Sequence, residues 1–229
     1  MISDLFTATV IMGIISSGIR LATPYLFAGI GEMFGQRSGV LNLGVEGQML
    51  LGAFTAYFVV LRTGNLFLAV LAAIAVGALM GLAMGFVTIR LQATQGIAGI
   101  GFYLFGMGMS NLLFQKLIGV VENINGFPII KIPLLGDIPV IGEILFQQNL
   151  LVYLAFLLVP TAWFVLNKTT LGLKIRAVGE NPEAADSLGV SVVGVRYFTV
   201  ILGGILSSVA GAALSVALLN VFQQNMTAG

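Results

Sequence analysis

Residues 65–89 run the depth of a bilayer without one charged side chain, and Arg90 closes the run. About 20 mainly apolar residues suffice for a helix to cross the hydrocarbon of a membrane. A chain built of such runs has few folds open to it, because each backbone N–H and C=O in lipid must be satisfied within the structure. Further runs fall at 150–166, 197–219, 96–114 and 40–60, and another at 8–31. Charged residues make up 8% of the chain and hydrophobic ones 58%, against about 25% charged in an ordinary soluble domain. That is too little polar surface to cover a soluble globule. The expectation is an all-α, polytopic transmembrane helix bundle of about six spans, a single membrane domain over residues 1–229.

The run at 8–31 is irregular, since Arg20 and Pro24 sit inside it. An arginine at mid-depth costs about 2.5–3.5 kcal/mol on insertion scales, so either Arg20 snorkels to the interface or residues 2–19 lie partly in it. The opening MISDLFTATV lacks the basic stretch and small-residue cleavage site of a signal peptide, and the first span is read as retained.

The same composition excludes several activities. With no His and no Cys, the chain has neither the commonest general base and metal ligand nor a thiolate. A net charge of +1 leaves no electrostatic footprint for nucleic acid. No Walker A or GxGxxG pattern occurs, so any work that needs ATP requires a second polypeptide.

Basic residues orient the bundle. With 167–196 inside, Arg37, Arg90, Lys168, Lys174, Arg176 and Arg196 are cytoplasmic, while Arg62, Lys116 and Lys131 lie outside. This bias places the N-terminus outside. The outer connection, 116–149, repeats IPLLG and IPVIG, and Pro128, Pro133 and Pro139 forbid a continuous helix there. It is read as an extracytoplasmic apolar loop, either packed on the helix ends or helping to seat an outer partner.

The inner connection, 167–196, holds one short helix with both ends marked. Asn181 is an N-cap, Pro182 fits the first helical position, Glu183 complements the dipole and Gly189 supplies the left-handed stop. Ala184, Ala185 and Leu188 are expected to form one small apolar face. About two turns are too few to be stable alone, so the helix rests on its own loop or on a partner.

Polar groups inside the membrane are the other candidates. Asn42 and Glu46 in GVLNLGVEGQMLLGA stand i,i+4 and are expected on one helix face, with Gly44 and Gly47 allowing another backbone close. They either tie helices together or line a solute path. Gln95, Tyr103 and Asn111 are further candidates beside a glycine-rich stretch. Those glycines mark a broken helix or close packing.

Two stretches together resemble a known family. GVLNLGVEGQMLLGAFTAY and TTLGLKIRAVGENPEAADSLGVSV are similar to the permease subunits of bacterial ABC importers for simple sugars, nucleosides and branched-chain amino acids. The first carries the family's NLGxEG segment and the second its GxxxRAxGxNxxAAxxxG region. The likeness runs from about residue 21 onward and is nearest the nucleoside and simple-sugar branch. It implies a chain without catalysis or cofactor of its own in a bacterial inner membrane, beside lipids. The implied partners are a cytoplasmic ATPase holding ATP and Mg, a second permease subunit and an extracytoplasmic substrate-binding lipoprotein. Gly172, Arg176, Gly179, Asn181, Pro182, Glu183, Ala184, Ala185 and Gly189 match the region that meets the ATPase. Asn42, Gly44, Glu46 and Gly47 match the membrane motif. Family members continue with further helices, so the chain is read as C-terminally incomplete.

The rival readings are a secondary transporter or channel using Glu46 for ion coupling, and a non-transporting, truncated permease subunit. The docking helix weighs against the first. Nucleoside is the first choice of solute and simple sugar the second, on family branch alone.

Overall fold

The computed structural model describes residues 8–133, 136, 138 and 141–227. In chain order the elements are α1 (Ala8–Arg37), α2 (Val45–Thr63), α3 (Leu66–Gly85), α4 (Gln95–Leu117), β1 (Ile129–Lys131), α5 (Ile141–Leu145), β2 (Gln147–Asn149), α6 (Leu150–Lys168), α7 (Thr170–Glu180), α8 (Pro182–Ser187) and α9 (Val192–Ala212). A π-helical turn extends α3 over Phe86–Arg90, and another extends α9 over Ala213–Leu218.

Among the described residues, five helices are long and apolar enough to cross a membrane: Val10–Arg37, Leu66–Arg90, Gln95–Leu117, Leu150–Lys168 and Val192–Leu218. The run expected at 40–60 is α2, which starts later and carries Glu46, Gln48 and Arg62 among its 19 residues. It tolerates Glu46 and Gln48 because it is enclosed, lying against α9, α3 and α4, while Arg62 is exposed in its last turn. The central helix is α9: 72% of its apolar window is buried, against 17–28% in the other four. Those four turn large apolar side chains outward, among them Ile97, Phe67, Leu79 and Leu157. Such a surface suits hydrocarbon and would be a liability in water.

Small residues set the helix spacing. A Cβ added at Gly52 of α2 would strike the Ser208 backbone of α9, and one at Gly81 of α3 would lie 2.8 Å from Ile201 Cα. Lipid supplies no hydrophobic drive between helices, so close backbone approach and hydrogen bonds must hold them. Ser208 Oγ donates to the Gln48 carbonyl at 3.1 Å, and Ser215 Oγ to the Ala53 carbonyl at 2.9 Å.

The first helix gives Arg20 a partner within the protein. It runs unbroken through Pro24 to Arg37, and Arg20 Nε donates to Gln148 Oε1 at 2.9 Å. Gln148 is fully buried and passes its own amide protons to Ser16 Oγ and the Ile144 carbonyl. A polar clasp to the 116–149 connection supplies that partner. That connection also holds an antiparallel β1–β2 pair, Ile129 opposite Asn149, which the prolines gave no cause to expect. The proline-bearing repeat falls partly outside the described residues, as do Pro139 and the start of the N-terminal MISDLFTATV segment.

At the other end, 167–196 contains two helices where one was expected. Thr169 caps α7, its side chain accepting from the Gly172 N–H at 3.2 Å. Its buried residues Gly172, Ile175 and Val178 recur every third position along one face. That spacing was readable as a helix, but two glycines and a polar flank masked it. Glycines did not break α4, which is continuous; Gly99 and Gly106 instead admit Leu43 and the Gly47 backbone.

Past residue 218 the chain turns back into the bundle. Phe222 is fully buried, with its ring 5.6 Å from Phe54 and 5.3 Å from Phe114.

Candidate functional site

Asn42 does not share a helix face with Glu46, because α2 begins only at Val45. Asn42 instead builds the turn that leads into α2. Its Oδ1 accepts from the Gly44 N–H at 2.9 Å and its Nδ2 donates to Gln48 Oε1 at 3.1 Å. Its own N–H donates to Glu32 Oε1 at 3.0 Å. An asparagine side chain that mimics backbone in this way fixes a short turn without needing water. Gly44 and Gly47 are required there by contact: a Cβ on Gly44 would lie 2.8 Å from Phe102 Cβ, and Gly47 rests on the Tyr103 backbone.

That turn opens onto a cavity of about 390 Å³ lined by Tyr25 and Ala28 of α1, Asn42, Glu46, Leu214 and Thr227. The size suits a small polar solute. Thr227 Oγ1 donates to Glu46 Oε1 at 3.1 Å, so the returning C-terminal segment supplies one wall. The cavity is apolar except for the carboxylate, two hydroxyls and an amide. Such a lining holds a solute by a few directed hydrogen bonds.

Of the other membrane candidates, none joins Asn42 and Glu46 in this cavity. Gln95 braces the turn from outside it, with Oε1 accepting from the Leu41 N–H at 2.8 Å and Nε2 donating to the Gly39 carbonyl at 3.3 Å. Tyr103 packs by its backbone on Gly47. Asn111 lies further along α4, its Oδ1 buried without a hydrogen-bond partner. Tyr25 and Thr227 were missed by sequence reasoning. Neither sits in a motif, and only the fold brings residues 25 and 227 to Glu46.

The two short helices form a second unit. Gly172 sits against the Val165 and Leu166 carbonyls, and Gly179 against the Arg37 carbonyl. Asn181 Oδ1 accepts from the Ala184 N–H at 3.0 Å, Pro182 occupies the first turn, and Gly189 ends the helix at φ +80°. The expected single apolar face is not formed. Ala185 is buried, whereas Ala184 is exposed and Leu188 is 84% exposed. Glu183 is exposed as well. Arg176 on α7 has its Nε buried without a hydrogen-bond partner.

The two regions are joined through one short segment. Gly39 lies beside Gly179, Arg196 Nε donates to the Ser38 carbonyl at 3.2 Å, and Ser38 Oγ is 2.7 Å from Thr199 Oγ1. Asn42 follows three residues after Gly39. The motif reading missed Ser38 and Thr199, since paired hydroxyls far apart in sequence leave no local signal.

Comparison with known proteins agrees with this architecture. Residues 14–229 match the family described as "Branched-chain amino acid transport system / permease component". The chain is 41% identical to a Haloferax volcanii protein whose name provisionally assigns it as a glucose ABC transporter permease, over 95% of this chain and 67% of that one. It is 36% identical to a nucleoside ABC transporter permease of Lactococcus lactis, covering 94% of this chain and 71% of the relative. With a guanosine ABC transporter permease of Bacillus subtilis it shares 34% identity at the same coverage. No solved structure matches. The chain is a multi-pass membrane protein and belongs to this family of ABC transporter permeases.

Proposed function

We propose that this chain is the pathway-forming subunit of an ATP-driven importer, carrying a nucleoside or a simple sugar through the cavity at Glu46. The solute classes follow the relatives' names. In this reading the α7–α8 end faces the cytoplasm of a bacterial inner membrane and receives a separate ATPase, which binds ATP and Mg. A second permease subunit completes the pathway, and an extracytoplasmic binding lipoprotein delivers the solute. The chain performs no covalent chemistry.

The observation that carries the proposal is the short link from the cytoplasmic unit to the cavity. Gly179 touches Arg37 and Gly39, and the same segment supplies Asn42 and then Glu46. A push on α8 displaces α7, and α7 bears on the turn that forms the cavity wall. Packed interfaces transmit such shifts because they cannot deform continuously. Leu188 and Glu183 project from α8 for the ATPase to grip, and Gly172 and Gly179 hold α7 to the bundle.

The test is uptake of labelled guanosine and glucose by membrane vesicles of the source cells, with and without the gene for this chain. ATP-dependent uptake of either supports the reading. Uptake driven by an ion gradient without ATP would replace it with a secondary transporter.

A further inference from the structure

A second cavity lies at the α7 end of the bundle, on the outer face between α1 and α6, with a volume of about 400 Å³. Its long wall is apolar, formed by Ile30 and Met33 of α1 and by Val159 and Ala162 of α6. Its end wall is not, for Arg37, Arg176 and Asn167 close it. The side chains of Arg37 and Arg176 make no hydrogen bond or ion pair among the described residues, and the Arg176 Nε is buried. Trp163 stands at the rim with the Lys168 ammonium 5.8 Å from its ring.

Two guanidiniums at the closed end of one cavity, with no carboxylate to neutralise them, call for an anion. Their fork geometry suits phosphate. The apolar wall calls for hydrocarbon, and tryptophan with lysine marks the depth of the headgroups. A phosphate ion would leave the long wall unused, and a zwitterionic lipid would bring its own cation to a site that already holds two. We propose that this cavity binds one anionic phospholipid, with its phosphate between Arg37 and Arg176 and an acyl chain along α1 and α6. Basic pockets between membrane helices hold such headgroups elsewhere. The proposal needs only that the chain spans a membrane, and stands apart from the transport reading.

Trp163 is the one tryptophan of the chain and therefore reports on this cavity directly. The experiment places the full chain in phosphatidylcholine vesicles and measures quenching of Trp163 by brominated phosphatidylglycerol and, separately, by brominated phosphatidylcholine. The expected result is a preference for the glycerol lipid of at least about tenfold, given two arginines at the headgroup. In R37Q/R176Q, which keeps Lys168, the preference should disappear. Should that protein fail to fold, R37Q alone, changed at an exposed position, should lower the preference at least about threefold. Equal quenching by both lipids would overturn the proposal, as would an unchanged preference in the arginine variants. Loss of the preference on adding glycerol 3-phosphate in water would also overturn it, by showing a site for free phosphate. So would shielding of Trp163 from both lipids, the result expected of a protein chain seated there.

Discussion

Gly77 of α3 and Gly204 of α9 meet backbone to backbone, so that a Cβ on either would run into the carbonyl oxygen of the other. The contact lies on the most enclosed helix of the bundle, where neither backbone has room to retreat. Gly204→Val should therefore destabilise the protein by at least the ~1–3 kcal/mol typical of overpacking. Its melting midpoint in detergent should fall well below that of the parent. Gly101, with nothing within 4 Å of a built Cβ, is the control, and Gly101→Ala should leave the midpoint unchanged or raised.

The Arg20–Gln148 clasp gives a second outcome. Gln148→Leu removes the acceptor of a part-buried, charge-assisted hydrogen bond and leaves Arg20 Nε without that partner. The expected cost is about 1–3 kcal/mol, read as a lowered melting midpoint. Gln148→Glu keeps an acceptor for Arg20 but sets a carboxylate oxygen against the Ile144 carbonyl, so it should lower the midpoint as well.

Glu46 and Thr227 predict a transport phenotype separable from folding. Glu46→Gln keeps the size of the side chain and an oxygen for Thr227, so the melting midpoint should hold. Uptake should fall by about an order of magnitude, the change that about 1.4 kcal/mol produces. Normal uptake would show that the carboxylate is dispensable.

Gly179 tests transmission. Gly179→Ala forces α7 away from the Arg37 carbonyl and should leave membrane insertion intact while ATP hydrolysis no longer drives uptake. The readout is the ratio of solute moved to ATP consumed, which should drop. An unchanged ratio would count against the link from α7 to the cavity.

The sequence made the spans legible because apolar runs over about 20 residues have one physical solution in lipid. The ends of α8 were legible for a local reason, since Asn181, Pro182 and Gly189 each act within a turn of themselves. Less was visible where partners are distant. The start of α2 was misplaced because Asn42 suits a turn as well as a helix face, and only its bonds to Gly44, Gln48 and Glu32 decide between them. Arg20 posed a problem whose answer, Gln148, lies 128 positions away. The cavity at Glu46 was half legible: the carboxylate stood out, whereas Tyr25 and Thr227 are ordinary residues until the chain folds back.

The most direct measurement uses the absence of cysteine from the chain. In L188C, the new thiol at the exposed tip of α8 would be the one target for a membrane-impermeant maleimide. The account predicts labelling in inverted vesicles, none in intact cells, and protection when the ATPase is bound. Labelling in intact cells would put α8 on the outer side, where no ATPase could reach it.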